Sequence, residues 1–322
     1  MDEELVRLEN IKMYFQSRVG LFKTIPIKAV DGVSIGIARG EALALVGESG
    51  CGKTTIARVS LRLLKPTVGR VFFNNRDITD SAEKDLKWFR KRAQAIFQDP
   101  YSSINPFMTI REILEEPLIL HNIGDKDERL ELIAKVLTDV KLTPIEEFMD
   151  KYPHILSGGQ RQRVGIARAL ILKPDYIAAD EPVSMIDASS RAEILYLLGE
   201  LQERYGITFL YITHDIATAK YFSDRIAVMY LGEIIELAES REIVRNPLHP
   251  YTQALIESVP EPDPLNRFRE RRVIVGEPPS PVNPPSGCRF HPRCQYRFEP
   301  CDKKRPELKE VKKGHFVACF LY

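Results

Sequence analysis

The fold of this chain is decided by the stretch Gly47-Glu48-Ser49-Gly50-Cys51-Gly52-Lys53-Thr54, which fits the pattern G-x-x-x-x-G-K-S/T. An apolar run at 42–46 precedes the stretch, and residues 55–64 after it have helical character. Glycines let the backbone aim N–H groups at phosphate oxygens, and the N-terminus of a following helix adds free donors. Lys53 brings a positive charge to the β- and γ-phosphates, and the Thr54 hydroxyl suits Mg²⁺. The stretch therefore predicts a strand, a phosphate loop and a helix that bind ATP.

Short apolar runs along the chain predict an α/β fold around this loop. Three runs, at 42–46, 176–179 and 209–213, are apolar on both faces, as expected for central strands that are covered on both sides. Leu231-Gly232 interrupts a later run and predicts a hairpin turn, as does Asn74-Asn75. The predicted strands are Leu5 to Phe15, Ala42 to Val46, Val71 to Phe73, Ala93 to Phe97, Tyr176 to Ala179, Phe209 to Thr213 and Arg225 to Leu237.

Two further parts of the chain differ from this α/β pattern. From Phe107 to Ile171 the spacing is helical, and one helix face is predicted from Leu130, Ile133, Leu137 and Val140. From Asn246 onward the chain is rich in proline, with 13 of its 22 prolines at or beyond Pro247. The stretch 277–285 predicts an extended connector. We therefore expect a helical insertion in the α/β core and a different C-terminal part.

An apolar run that ends in two acidic residues gives the first indication of catalysis. Ile177-Ala178-Ala179 is followed directly by Asp180 and Glu181. Acids at a strand end are ordinarily solvated, and alone these two would be interpreted in that way. In a chain with a phosphate loop, Asp180 is expected to reach the Mg²⁺ sphere. Glu181 is expected to face the γ-phosphate and to orient or deprotonate the attacking water.

The composition and the charge argue against several classes of protein. The net charge is +1, from 46 Lys+Arg against 45 Asp+Glu, so no bulk electrostatic argument favours nucleic acid as a partner. No apolar run approaches the roughly 18 residues that a transmembrane helix needs. Met1-Asp2-Glu3-Glu4 lacks the apolar region of a secretory signal. We therefore expect a reducing compartment, where cysteines are more often metal ligands than disulfides.

A second anion site is indicated by Leu156-Ser157-Gly158-Gly159-Gln160, which precedes an Arg- and Ala-rich helix predicted at 161–172. This segment resembles the signature of ATP-binding cassette (ABC) ATPases. In that family two domains pair head to tail, and the signature of one subunit closes on the γ-phosphate held by the other. The resemblance covers roughly residues 5 to 245. It implies an ABC-type nucleotide-binding domain: a RecA-like phosphate-loop core, an antiparallel β subdomain and a helical subdomain.

Other elements resemble the ABC family in the expected order. Gln98 is similar to the glutamine that senses Mg²⁺ and water, and Ser184-Met185-Ile186-Asp187 resembles the loop at the dimer seam, with a mild departure at its middle residues. His214 matches the switch histidine that contacts the γ-phosphate, although a lone histidine is more often structural. Phe15 is preferred over Tyr14 as the aromatic residue that stacks on adenine, and a core role for either stays open.

Together, these motifs and resemblances predict the residues of the site, which fall into three overlapping groups. Those expected to be catalytic are Glu181, His214 and Gln98. Those expected to bind Mg²⁺ are Thr54, Gln98 and Asp180. Those expected to bind ATP are Phe15, Gly47, Ser49, Gly50, Cys51, Gly52, Lys53, Thr54, Thr55, Asp180, Ser157, Gly158, Gly159, Gln160 and Asp187. Cys51 is interpreted as a small spacer in the loop and not as a reactive thiol.

The rest of the chain narrows the resemblance within the ABC family. The stretches 98–106, 249–255 and 284–294 resemble segments of the ATPases of oligopeptide and dipeptide importers, and the insertion at 17–28 is similar to that of the second of two ATPases in such systems. The resemblance implies an ATPase that couples ATP hydrolysis to peptide uptake. An oligosaccharide importer of the same type is one alternative, and a soluble ABC ATPase of DNA repair or translation is another.

Four of the five cysteines, Cys288, Cys294, Cys301 and Cys319, lie near the C-terminus and are separated by five, six and seventeen residues. Four thiolates suit Zn²⁺ or an iron–sulfur cluster, but the closely spaced cysteine pairs typical of structural zinc are missing from this sequence. The resemblance to peptide importers implies a 4Fe-4S cluster, with Zn²⁺ and free thiols as the alternatives. A cluster would stabilise a segment whose own core is small.

These inferences predict an organisation and a set of partners. We expect an ATPase domain at 1–245, with its helical subdomain at about 99–172, and a small irregular C-terminal metal or cluster domain at 246–322. The resemblance implies a second homologous ATPase subunit, two transmembrane permease subunits and an extracellular solute-binding protein, and no nucleic acid. The chain is then expected at the cytoplasmic face of the membrane.

Overall fold

This computed structural model describes residues 3–19, 23–99, 104–259 and 276–322. The chain divides into two units, and each unit is built from segments that are far apart in the sequence. The first unit contains Met1–Leu5, Ile37–Glu41 and Asp80–Leu210. The second contains Val6–Gly36, Ala42–Thr79 and Tyr211–Tyr322. The predicted phosphate loop lies in the second unit, and the predicted acidic pair and signature lie in the first.

The bounds of the regular elements are as follows. The strands are β1 (Glu4–Val19), β2 (Lys23–Ala38), β3 (Ala42–Val46), β4 (Val68–Phe73), β5 (Arg76–Asp77), β6 (Ala93–Ile96), β7 (Tyr176–Asp180), β8 (Thr208–Thr213), β9 (Arg225–Tyr230), β10 (Glu233–Glu239), β11 (Lys309–Lys312) and β12 (His315–Val317). The helices are α1 (Lys53–Ser60), α2 (Lys87–Arg92), α3 (Ile110–Leu120), α4 (Lys126–Asp139), α5 (Glu146–Met149), α6 (Gly158–Leu170), α7 (Ala188–Tyr205), α8 (Ile216–Phe222), α9 (Ser240–Arg245) and α10 (Pro250–Glu257). Short 3-10 helices lie at Glu83–Leu86, Pro153–Ile155 and His291–Arg293.

The second unit contains an antiparallel sheet with the strand order β2-β1-β4-β5. Strands β1 and β4 pair with Val6 opposite Phe73 and Leu8 opposite Val71. The turn between β4 and β5 is Asn74-Asn75, whose φ angles of 49° and 60° are those of a tight two-residue hairpin. The predicted turn is therefore confirmed. The strands β1 and β2 include all the described residues of the predicted insertion, while its residues 20–22 lie outside the described part.

The same unit contains the strands that position the phosphate loop, in the order β11-β12-β10-β9-β3. Strand β3 runs parallel to β9, with Val46 opposite Val228. Every residue of β3 is buried, which confirms the prediction of a strand covered on both faces. The turn between β9 and β10 is Leu231-Gly232, with positive φ at both residues, as predicted. The described part of the C-terminal segment adds β11 and β12 to this sheet, and a separate metal or cluster domain stays a prediction.

The first unit contains the insertion that the sequence predicts to be helical. Strand β6 runs parallel to β7, with Ile96 opposite Ala179, and β8 follows β7 in the strand order. Helices α3, α4, α5 and α6 occupy the region predicted to be helical. On α4 the buried residues are Ile133, Val136 and Leu137, so the predicted apolar face is largely confirmed. No helix in the described part of the chain is both long and apolar enough to cross a membrane.

A buried polar network stabilises the second unit around Glu236, a residue with 0% exposure. Its carboxylate accepts the backbone N–H groups of Leu248 (2.7 Å) and His249 (3.0 Å), and the Nε2 atom of His315 lies 2.8 Å from it. At the start of α10, Nδ1 of His249 accepts the N–H of Tyr251 at 3.0 Å. Because the His249 ring is an acceptor in a buried site, burial lowers its pKa from 6.5 to about 4.

This network gives an expected pH dependence. Below pH 6.5 the unfolded chain binds a proton at His249, but the native chain does not until about pH 4, so the free energy of unfolding falls as the pH falls through this window. Asn at this position keeps a cap acceptor and does not titrate. Between pH 7 and pH 5, wild type should therefore lose about 2 kcal/mol more stability than His249→Asn in urea unfolding. Equal losses in both proteins would contradict this assignment.

Candidate nucleotide site

The phosphate loop connects the end of β3 to the start of α1, and its glycines are required by close backbone contacts. A Cβ atom on Gly47 would lie 2.2 Å from the carbonyl oxygen of Met229, and one on Gly52 would lie 2.3 Å from that of Ala29. Gly52 also has φ 109°, and it precedes the first residue of α1. Any side chain at either position would collide with backbone atoms. The glycines thus allow the close approach on which the loop conformation depends.

Lys53 is the buried cation of this loop, with 5% exposure. Its Nζ donates to the carbonyl oxygens of Gly47 at 2.7 Å and Glu48 at 3.0 Å. These contacts fix the ammonium group at the loop, where a phosphate would benefit from its charge. Cys51 is also buried, and burial raises the pKa of its thiol. A neutral, buried thiol supports the interpretation of Cys51 as a spacer.

The other loop residues are more accessible to a ligand. Ser49 and Gly50 are exposed, and Thr54 and Thr55 are half-buried at the start of α1. His214 follows β8 in the second unit, directly before the first turn of α8, and is exposed. The hydroxyl groups of Ser49, Thr54 and Thr55 and the His214 imidazole are thus at least partly exposed, and their contacts with the nucleotide and Mg²⁺ stay a prediction.

The acidic pair lies at the end of β7 in the first unit. Glu181 has φ 45°, in the left-handed region that a residue with a side chain seldom adopts. Its Oε2 accepts a hydrogen bond from Nε2 of Gln98 at 3.1 Å. Two of the three residues predicted to be catalytic are therefore in direct contact. Backbone strain at a carboxylate that another polar side chain orients is typical of functional sites.

The signature begins α6, and its polar residues form a capping box. Ser157 Oγ accepts the N–H of Gln160 at 3.3 Å, and Gln160 Oε1 accepts the N–H of Ser157 at 3.0 Å. Such reciprocal bonds satisfy donors at the helix N-terminus and leave the small Gly158 and Gly159 beside it. A Cβ atom on Gly159 would lie 3.2 Å from Ser190 Oγ. A side chain there would therefore crowd the start of α7.

Asp187 orders the loop next to this signature. It precedes α7, and its Oδ1 accepts the Ser190 N–H at 2.9 Å and the Ser189 hydroxyl at 2.5 Å. These hydrogen bonds lower the pKa of Asp187 to about 2. Gly158 is also close to this loop, since a Cβ there would lie 3.6 Å from Ile186 Cγ2. The signature and the predicted dimer-seam loop thus contact each other within the first unit.

The two aromatic residues Tyr14 and Phe15 on β1 differ in their surroundings. The Tyr14 hydroxyl donates to Asp31 at 2.5 Å, which occupies it within the second unit. Phe15 has 37% exposure, so its ring is accessible to a planar ligand. This arrangement supports Phe15 as the residue that stacks on adenine.

The four C-terminal cysteines line one cavity together with apolar and aromatic side chains such as Phe290 and Phe298. None of the four is in a disulfide. Burial raises the pKa of the Cys288 thiol to about 12, and neighbouring thiolates act in the same direction. Soft thiol donors that line one cavity are of the chemical type that binds an iron–sulfur cluster or zinc. Even so, the described residues form no group of three or more His, Cys, Asp or Glu arranged to hold a metal ion.

Two contacts of the loop residue Glu48, one with Tyr251 and one with Arg293, were not predicted from the sequence. The Glu48 N–H donates to the Tyr251 hydroxyl at 3.0 Å, and Arg293 forms an ion pair with the Glu48 carboxylate at 2.9 Å. Glu48 occupies a variable position of the motif, so the pattern carried no signal for it. Its partners are about 200 and 245 residues away in sequence, and only the fold brings them together.

Comparisons with known proteins agree with this architecture. Residues 30–184 match the ABC transporter family, and residues 235–301 match the family described as oligopeptide/dipeptide transporter, C-terminal region. The oligopeptide transport ATP-binding protein AppF of Bacillus subtilis (strain 168) is 49% identical, over 99% of this chain and 98% of its own. A putative peptide import ATP-binding protein of Brucella ovis is 48% identical, over 98% of this chain and 97% of its own.

Solved structures resemble the cassette part. The dimeric ABC transporter cassette MJ0796 has a TM-score of 0.65 and 33% identity, over 73% of this chain and 99% of that chain. The same cassette in a post-hydrolysis state bound to ADP and Pi matches equally well. The fold and the site together define a phosphate-loop ATPase. This chain belongs to the ABC transporter family, among the ATP-binding proteins of oligopeptide/dipeptide transporter type.

Proposed function

We propose that this ABC ATPase drives the import of oligopeptides or dipeptides. The observation that carries the proposal is the similarity to AppF along almost the whole chain, including the C-terminal region at 235–301 that peptide transporters share. The proposed partners are a second homologous ATPase, two transmembrane permease subunits and an extracellular solute-binding protein. The chain then acts at the cytoplasmic face of the membrane. In this proposal residues 1–245 are the ATPase domain, with its helical subdomain at 99–172, and residues 246–322 the appended domain.

The proposed mechanism begins with the phosphate loop. Lys53, already fixed by two carbonyl oxygens, contributes positive charge to the β- and γ-phosphates, and backbone N–H groups of the loop bind their oxygens. Mg²⁺, when bound, neutralises developing charge on the phosphates, and the residues proposed to hold it are Thr54, Gln98 and Asp180. The residues proposed to bind the rest of the nucleotide are Phe15, Ser49, Gly50, Cys51, Gly52 and Thr55.

Glu181 is the proposed residue for the attacking water. Its carboxylate accepts a proton from the water or orients it, and the hydrogen bond from Gln98 holds the carboxylate in one orientation. His214 is proposed to contact the γ-phosphate. None of these roles requires a covalent intermediate, since phosphoryl transfer to water depends mainly on positioning and on electrostatic stabilisation.

The proposed coupling to transport depends on a pair of cassettes. Ser157, Gly158, Gly159 and Gln160 of this chain would complete the site of the second ATPase, and Asp187 would lie at their seam. The N-terminus of α6 suits an anion, because its donors and dipole favour negative charge. If the γ-phosphate binds more tightly in the closed pair than in the open pair, ATP binding favours closure and hydrolysis removes that preference.

Replacement of Glu181 tests the assignment of catalysis to this chain. Glu181→Gln keeps the size of the side chain but removes its basicity, so MgATP should still bind while phosphate release falls about 100-fold or more in the assembled complex. Glu203→Gln, at an exposed position on α7, is the matched control and should hydrolyse ATP at the wild-type rate. Near wild-type turnover by Glu181→Gln would contradict the proposal.

We further propose that Cys288, Cys294, Cys301 and Cys319 bind a 4Fe-4S cluster. Support comes from the four cysteines lining one cavity, although 30 residues lie between the first and the last. Cysteine thiolates would hold the cluster, and the cluster would link β12 to the turns at 288–301. Zn²⁺ is the alternative for the same donors.

Metal analysis of anaerobically purified protein tests this assignment. About four iron atoms and four acid-labile sulfides per chain are expected. Cys301→Ser should lower both contents, because the cluster would lose a ligand, whereas Cys51→Ser, a change at a cysteine outside the cavity, should leave both unchanged. One equivalent of zinc without sulfide, or no bound metal, would contradict the cluster.

A further inference from the structure

Glu48, the second residue of the phosphate loop, is contacted by two side chains from the C-terminal part of the second unit. Its backbone N–H donates to the Tyr251 hydroxyl at 3.0 Å. Its carboxylate accepts from Nη1 of Arg293, at 2.9 Å and 3.2 Å to its two oxygens. Its carbonyl oxygen accepts from Nζ of Lys53 at 3.0 Å. Through this one residue, the C-terminal segment is connected to the cation of the phosphate loop.

The ion pair between Arg293 and Glu48 is sheltered from water. The Arg293 side chain has 7% exposure and that of Glu48 has 24%. Nη1 of Arg293 also lies 3.4 Å from the Tyr230 hydroxyl. Tyr230 in turn packs edge-on against Tyr251 and Phe290, with ring centroids 4.8 Å and 5.3 Å away. Because the guanidinium is fixed and partly desolvated, the pair should contribute more than an ordinary surface pair.

A second arginine, Arg289, is bonded to the β9–β10 hairpin, and this hairpin is in turn bonded to the phosphate loop. Arg289, with 6% side-chain exposure, pairs with Asp31 and with Glu233, the latter at 2.6 Å. It also donates to the carbonyl oxygen of Leu231. The next residue, Gly232, donates its N–H to the carbonyl oxygen of Cys51 in the loop at 2.8 Å. The segment 289–293 thus supports the phosphate loop at two places.

The negative charge of Glu48 makes its ion pair with Arg293 important for a bound triphosphate. A carboxylate within the loop would repel a bound triphosphate unless a cation neutralised it. Within Glu48, the atom that Lys53 bonds to is the backbone carbonyl oxygen and not the carboxylate. Arg293 contacts both carboxylate oxygens and so provides this neutralisation.

We propose that Arg293 is a positioning residue for nucleotide binding: its ion pair with Glu48 fixes the phosphate loop and cancels the carboxylate charge beside the triphosphate. The inference rests on the proposed assignment of residues 47–54 as the nucleotide site. It gives the C-terminal segment a role in the affinity of the site for ATP. Since Arg293 acts on the loop and not on Glu181, its loss should raise KM for MgATP and leave kcat nearly unchanged.

The test measures the affinity of the full-length chain for MgATPγS by calorimetry. Arg293→Ala should weaken binding about tenfold, in line with the loss of one charge-assisted hydrogen bond. Arg293→Lys should recover part of the affinity, because it keeps the charge. Adding Glu48→Gln to Arg293→Ala should also recover affinity, because the unneutralised carboxylate is then removed. Because two residues in contact can also be coupled in their effect on stability, thermal unfolding of the same variants shows whether the recovery is one of affinity alone.

Controls separate this inference from the proposals on which it depends. Arg297→Ala, an exposed arginine in the same segment, should bind like wild type. If Lys53→Ala abolishes binding while Arg293→Ala does not weaken it, the inference is wrong and the nucleotide site stands. If Lys53→Ala binds like wild type, the assignment of the site itself is wrong.

Arg293 is next to Cys294, so metal content and thermal unfolding are measured on the same samples. Weaker binding with wild-type metal content supports the inference. Weaker binding that accompanies metal loss and is not reversed by Glu48→Gln overturns it, because the arginine would then act only through the C-terminal fold.

Discussion

The contact between Lys53 and the carbonyl oxygens of Gly47 and Glu48 is the interaction on which the proposed function of this chain depends. An ammonium group with 5% exposure would be costly to bury without such partners. The two oxygens hold it at the loop without neutralising its charge, so a phosphate can still use that charge. Strand β3 and the start of α1 place the loop, and Gly47 and Gly52 allow the backbone to pass close to its neighbours.

The contacts of Glu48 extend this constraint to the C-terminal segment. Arg293 and Tyr251 reach the loop from the region that matches the oligopeptide/dipeptide C-terminal family. An extension that could have been a separate appendage therefore takes part in the packing of the second unit. The buried network around Glu236 and His315 joins β12 to β10 and so stabilises the same segment.

Much of this arrangement could be predicted from local sequence, because the signals were local. The phosphate loop, the buried strand β3 and the turn at Asn74-Asn75 each follow from a few adjacent residues. The contact between Gln98 and Glu181 also has a simple origin. Strands β6 and β7 run parallel with Ile96 opposite Ala179, so each residue lies two positions beyond a paired position. The Glu48–Arg293 pair had no such signal, since 245 residues separate its members and no strand register between them could be inferred. The extent of β1 was also missed, because its last residues do not alternate between polar and apolar.

The central claim is that residues 47–54 of this chain form the ATP site. Amide hydrogen exchange of the full-length protein, measured with and without MgATPγS, tests it most directly, because the loop N–H groups are the proposed phosphate donors. If these N–H groups bind the triphosphate, exchange should slow in peptides that cover 47–54 and the first turn of α1. Unchanged exchange in this stretch at saturating nucleotide would contradict the claim.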